Sequence, residues 1–211
     1  VGRVLYVSAE EAVGQVYLRA SRTNAIEENL LLAHETELSL LLGQFESAKP
    51  KVLIVDSIQT METQALQSSA GGVAQVREVA ASLTRVAKES GVSVIMVGHV
   101  TKDGQLAGPR SLEHLVDVVC HFEGDRQTSL RFIRSLKNRF GPTDEVGCFE
   151  MKNEGIVEVS DPSSLFRSQT AKPISGTCTT IALEGKRALA VEIQALVAAS
   201  SSTQPRRVVS G

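Results

Sequence analysis

The chain has 211 residues, of which 42% are hydrophobic and 22% charged, with a formal net charge of −2. This composition is too apolar for a disordered segment and too near neutral for a global basic field, so any polyanion contact is expected from a local patch. No apolar run reaches the roughly 20 residues of a membrane span, no signal peptide opens the chain, and Cys120, Cys148 and Cys178 are odd in number with no Cys-x-x-Cys pair, which argues against a disulfide framework or zinc-ligand spacing and for a cytoplasmic compartment.

The apolar run Val4–Ser8 reads as a buried strand lying almost at Val1, so an internal segment of a longer protein is expected. Glu10 to Arg22 follows as a helix burying Val13, Val16, Tyr17 and Ala20. Leu30–Ala33 is a second strand, Thr36 to Ala48 a helix closed by Pro50, and Val52–Val55 a third strand, apolar throughout as strands covered on both faces are. A Ser/Gln/Gly-rich loop at 57–72 leads into an amphipathic helix, Val73–Ser90, with Gly91 as its C-cap, and Val92–Val97 is a fourth buried strand. Repeated strand–helix alternation predicts an α/β fold, a parallel sheet with helices on both faces. Beyond residue 100, Val116–Phe122, Leu130–Leu136, Glu145–Met151 and Gly155–Val159 read as antiparallel strands with short turns. Asp161–Pro173 reads as a linker, and Thr179–Leu183 with Leu189–Val197 opens a further unit.

In open parallel sheets, ligands lie beyond the carboxyl ends of the strands. Three of these strands end in polar residues: Ser8-Ala9-Glu10-Glu11, Asp56-Ser57, and Gly98-His99-Val100-Thr101-Lys102. Four hydrophobic residues followed by Asp56 have the form of a Walker B strand, whose aspartate orients a magnesium-bound water beside nucleotide phosphates. An aspartate at a strand end is equally a helix cap or turn former. Glu10 is a candidate to polarise an attacking water, with Glu11 as a first-turn helix residue, and His99 is either a phosphate sensor or a hydrogen-bonded structural histidine. Residues 126–141 hold five Arg or Lys and no acid. Strand alternation would project Lys137 and Arg139 from one face, a spacing that suits phosphate oxygens as well as a solvated basic face.

The segments VLYVSAEE, VLIVDSIQTM, SAGGVAQVREVAA, VGHVTKDGQLAGPRSLEHLVD, HFEGDR and SLKNRFGPTDEVGCFEM resemble the bacterial RadA (Sms) family of DNA-repair ATPases, RecA-fold proteins, over nearly the whole chain. Lys137-Asn138-Arg139-Phe140-Gly141 matches that family's signature pentapeptide. The resemblance implies a homo-oligomeric ring, a hexamer, that binds ATP and Mg2+ at each interface. It also implies action on single-stranded DNA and recombination intermediates, with branch migration and a recombinase filament as partner. By the same match, Glu10 is the catalytic glutamate, Asp56 the Walker B aspartate holding Mg2+ through water, and His99 the γ-phosphate sensor. Lys137 and Arg139 are the pair inserted into the neighbouring subunit's site, and the loops Thr60–Gly72 and Thr101–Leu112 face DNA, with Lys102 and Arg110 nearest the strand. The implied organisation is a RecA-like core at 1–165, a linker at 166–174, and the start of a Lon-protease-like α+β domain at 175–211.

Two family features do not occur in these 211 residues: the four-cysteine zinc module and the Walker A loop, since no Gly-x-x-x-x-Gly-Lys-Ser/Thr is present. Without a phosphate cradle the segment alone is expected to lack most ATP affinity and to be inactive. A replicative-helicase-like RecA-fold ATPase and a non-enzymatic DNA-binding scaffold are the alternative readings.

Overall fold

The structure, a computed structural model, describes residues 2–68, 71–99, 112–124, 129–153, 155–159, 174–184, 187–199 and 207–209. Strands β1 (Val4–Ser8), β2 (Leu30–His34), β3 (Val52–Asp56) and β4 (Ser93–Val97) form a parallel sheet in the order β2-β1-β3-β4. Helices α1 (Val13–Arg22), α2 (Leu38–Ala48) and α3 (Val73–Ser90) make the crossovers that parallel pairing demands. Leu5, Val7, Leu53 and Val55 alternate onto one face, where Leu38, Leu41 and Phe45 of α2 and Val76, Val79, Ala80 and Leu83 of α3 bury them. Helix α1 lies against the opposite face, where its Arg19 adjoins Tyr6. The expected α/β class, with helices on both faces and antiparallel strands added, is what the chain adopts.

The helix boundaries carry physical reasons. Helix α1 starts at Val13 instead of Glu10. The Ala12 carbonyl is the first to accept helical bonds, from the Gln15 and Val16 N–H groups, and Ala12 itself is extended (ψ 146°), while the Glu11 carbonyl lies 3.2 Å from His34 Nδ1. Helix α2 starts at Leu38, two residues later than expected, because the Glu37 carboxylate caps it by accepting from the Leu40 N–H. Gly91 ends α3 at φ +68°, a left-handed conformation that costs glycine nothing.

Strands β5 (Val118–Gly124), β6 (Leu130–Asn138), β7 (Val146–Lys152) and β8 (Gly155–Glu158) form an antiparallel meander in chain order. Strand β5 begins two residues later than predicted, after a turn at Leu112–Leu115 with the Leu115 N–H on the Leu112 carbonyl at 3.0 Å. Strands β9 (Thr177–Glu184) and β10 (Arg187–Gln194) pair as an antiparallel hairpin, the second starting and ending earlier than its apolar pattern suggested. The predicted linker Asp161–Pro173 lies outside the described residues. Among the described residues, no helix is long and apolar enough to cross a membrane.

Candidate active site

The registers Ser8↔Asp56 and Asp56↔Val97 bring the carboxyl ends of β1, β3 and β4 level. The residues just beyond them therefore meet. Glu10 Oε1 accepts two hydrogen bonds, from Ser57 Oγ at 2.6 Å and from His99 Nε2 at 2.8 Å. Both fall on one oxygen; among the described residues none falls on Oε2. These donors, Ser57 first and His99 second, hold the Glu10 carboxyl below its ordinary range. Gln59 Nε2 donates to the His99 backbone carbonyl at 3.2 Å, tying the end of β4 to the turn that follows β3.

Asp56 stands beside this cluster, joined to Ser57 by a cis peptide. Its Oδ2 accepts the Tyr6 phenol. Burial, and after it this bond to Asp56, pushes the phenol up to about 12. Arg19 adjoins Tyr6 and pairs with Glu11 at 2.9 Å, so Glu11 is engaged away from the Glu10 cluster and precedes the helix instead of opening it. Glu10 and Asp56 offer only carboxylate oxygen. That donor set fits Mg2+, which keeps most of its waters and leans on one or two carboxylates and the phosphates of its substrate.

Lys137 and Arg139 occupy the other sheet. Strand β6 ends at Asn138, and the Arg139 N–H still bonds the Asp117 carbonyl at 3.0 Å, so both side chains reach the segment 113–117 that leads into β5. Lys137 Nζ donates to the carbonyls of Glu113 (2.5 Å) and Val116 (2.7 Å), while Arg139 pairs with Asp117 at 2.8 Å. Asn138 builds the turn, its Oδ1 accepting the Phe140 N–H at 3.0 Å and its Nδ2 donating to the Pro142 carbonyl at 3.3 Å. Phe140 is left 81% exposed just before Gly141. Among the described residues, no hydrogen bond joins Lys137 or Arg139 to Glu10, Asp56 or His99.

Lys102 and Arg110 lie outside the described residues. The loop expected at Thr60–Gly72 is organised from within by Gln75, only 2% exposed. Its amide nitrogen donates to the carbonyls of Thr63, Leu66 and Ser68, and its oxygen accepts the Thr63 N–H at 2.9 Å. Sequence reasoning missed Gln75, Tyr6 and Ser57 as site-shaping residues. Ser57 carried a signal, a polar residue directly after an apolar strand; Tyr6 and Gln75 sat inside apolar patterns and carried none.

Strand order and fold place the chain among the RecA-like α/β proteins. A KaiC-like protein, PH0186 of Pyrococcus horikoshii OT3, superposes with a TM-score of 0.57 at 18% identity, covering 75% of this chain and 76% of that one. In sequence, the chain is 53% identical to "DNA repair protein RadA" of Mycolicibacterium smegmatis over 213 residues and 47% identical to that of Pseudomonas aeruginosa over 207. Helicobacter pylori RadA is 46% identical over 209 residues. These alignments cover 98–99% of this chain and 46% of each relative, so the chain spans about half the length of the curated relatives it matches. The chain belongs to the RadA proteins over the segment it shares with them. No protein-family model matches it.

Proposed function

We propose that this chain is the nucleotide-hydrolysing core of a RadA-type DNA-repair ATPase, with Glu10 as general base. The observation that carries the reading is the Glu10 carboxylate, held on Oε1 and open on Oε2, level with Asp56 at the neighbouring strand end. Asp56 would hold Mg2+ through water, and the ion would supply charge neutralisation at the phosphates. Glu10 Oε2 takes the proton of the attacking water, and His99, its ring 57% exposed, reaches the γ-phosphate from the same edge. A Walker A loop is not among these 211 residues, so the segment alone is inactive and the cradle for the phosphates comes from elsewhere in the complete protein.

Lys137 and Arg139 complete the site of an adjacent subunit in a hexameric ring. Arg139 supports this part of the reading: its guanidinium is exposed and, among the described residues, is engaged by a surface ion pair that costs little to give up. The ring moves on single-stranded DNA and branched recombination intermediates, held mainly through phosphates by Lys102, Arg110 and the Gln75-braced loop. It serves a recombinase filament in the cytoplasm. Residues 1–165 form the core, 166–174 a linker, and 175–211 the start of a Lon-protease-like unit. A second reading is favoured by Lys137, whose ammonium already serves two carbonyls of its own chain: the pentapeptide is a structural clasp.

Mixing separates the two readings. In the complete protein, Glu10→Gln should slow hydrolysis about 10²–10⁴-fold and Arg139→Ala about 10³–10⁵-fold. Rings mixed from the two contain interfaces where every catalytic group is present, so part of the activity should return. Mixed rings that form and remain inactive would establish the clasp reading.

A further inference from the structure

We propose that Ser57 is the positioning residue of the hydrolytic reaction, fixing Glu10 by Oε1 so that Oε2 alone is presented to the attacking water. The proposal rests on the reading of Glu10 as the base. Ser57 is fully buried, at 0% exposure, and a buried hydroxyl requires a partner. The partner it takes is Glu10 Oε1, at 2.6 Å. Its backbone is immobilised on both sides. The Asp56 carbonyl before it accepts the Ala9 N–H, and its own carbonyl accepts Thr60 Oγ1 at 2.9 Å, at the head of the 3-10 turn Ile58–Thr60. Ile58 and Met61, 3% and 0% exposed, root that turn in the core.

The other donor to Oε1 differs in kind. The His99 ring is more than half exposed and stands at the end of β4, free to turn toward a ligand. If His99 leaves to meet a phosphate, Ser57 remains as the contact that keeps the carboxylate aligned. Positioning of this kind is worth much in rate: a displacement of about 1 Å from the near-attack geometry can cost on the order of 10²-fold.

The test is steady-state ATP turnover and nucleotide affinity in the complete protein. Ser57→Ala should lower kcat about 10–100-fold with KM and nucleotide Kd within about twofold of the parent. Ser57→Cys, bulkier by its sulfur but carrying a weak donor, should fall between Ser57→Ala and the parent. On a Glu10→Gln background Ser57→Ala should cost nothing further, since there is no base left to align. Ser57→Ala with an unchanged kcat, a loss confined to KM and Kd, or a further loss on top of Glu10→Gln would each overturn the proposal. Normal turnover by Glu10→Gln would remove the base itself, whereas slow Glu10→Gln beside fast Ser57→Ala would sink Ser57 alone.

Discussion

The two sheets solve the problem of carrying charge in opposite ways. In the parallel sheet, carboxylates at the strand ends are held by uncharged or weakly basic donors (Ser57, Tyr6 and His99), with oxygen capacity left over. In the antiparallel sheet, the cations Lys137 and Arg139 are engaged by acceptors of their own chain. The first arrangement leaves carboxylate oxygens with acceptor capacity beyond these bonds. The second must surrender contacts before it can serve a neighbour, and its two members surrender unequal amounts.

The same contrast holds for packing. Leu5, Val7, Leu53 and Val55 are each at most 3% exposed, whereas among the described residues of β5–β8 only Leu130 and Cys148 are buried. The parallel half should therefore dominate stability. Leu53→Ala should cost about 2–5 kcal/mol, and Phe122→Ala, at a side chain 47% exposed, about 1–1.5 kcal/mol. Urea unfolding of both variants checks this; equal losses would mean that the antiparallel sheet is buried in the working assembly.

Within the cationic pair, Lys137→Met should destabilise by about 1–3 kcal/mol, since it strips a charged donor from two carbonyls on a half-buried side chain. Arg139→Ala breaks an exposed ion pair and should cost about 0–1 kcal/mol in stability, whatever it does to turnover. Unfolding midpoints that move equally would erase the distinction between a holder and a deliverable cation.

Much of the parallel half was legible in the sequence because burial on both faces writes itself as uninterrupted apolar runs, and strand-end residues such as Glu10, Asp56 and His99 then stand out as polar breaks. What connects those residues was not legible. Tyr6 reaches Asp56 only because β1 and β3 pair with Ser8 opposite Asp56, and parallel register is set by packing across the whole sheet. The three-residue delay of α1 goes with an extended Ala12 and a Glu11 carbonyl facing His34 of the neighbouring strand, which periodicity does not encode. The antiparallel half was readable as strands but not in its ends: β6 runs through Lys137 to Asn138, and Asp117, one residue before β5, holds Arg139 by both backbone and side chain.

The smallest effect, and the finest test of how the strand-end carboxylates are held, is at Tyr6. Its phenol donates to Asp56 Oδ2, so Tyr6→Phe keeps the ring and removes the bond. On a half-buried side chain that bond to a charged acceptor should be worth about 1 kcal/mol. Its pH dependence has a definite sign. The phenol titrates at about 12 in the folded chain against an ordinary 10.0, so the folded state favours the protonated form. The stability of the parent relative to Tyr6→Phe is then at its fullest below pH 10 and falls as the pH rises from 10 toward about 12. Urea unfolding of the two proteins side by side, at neutral pH and stepwise into that window, should show a gap that closes. The nucleotide-loaded complete protein adds a second readout. Asp56 without its phenol is free to rotate, so nucleotide binding should require more Mg2+ in Tyr6→Phe than in the parent, with binding at saturating Mg2+ unaltered. A stability gap that persists unchanged through the alkaline window, together with an unaltered Mg2+ requirement, would show that the phenol packs against Asp56 without orienting it. The parallel site would then owe its geometry to Ser57 and the backbone alone.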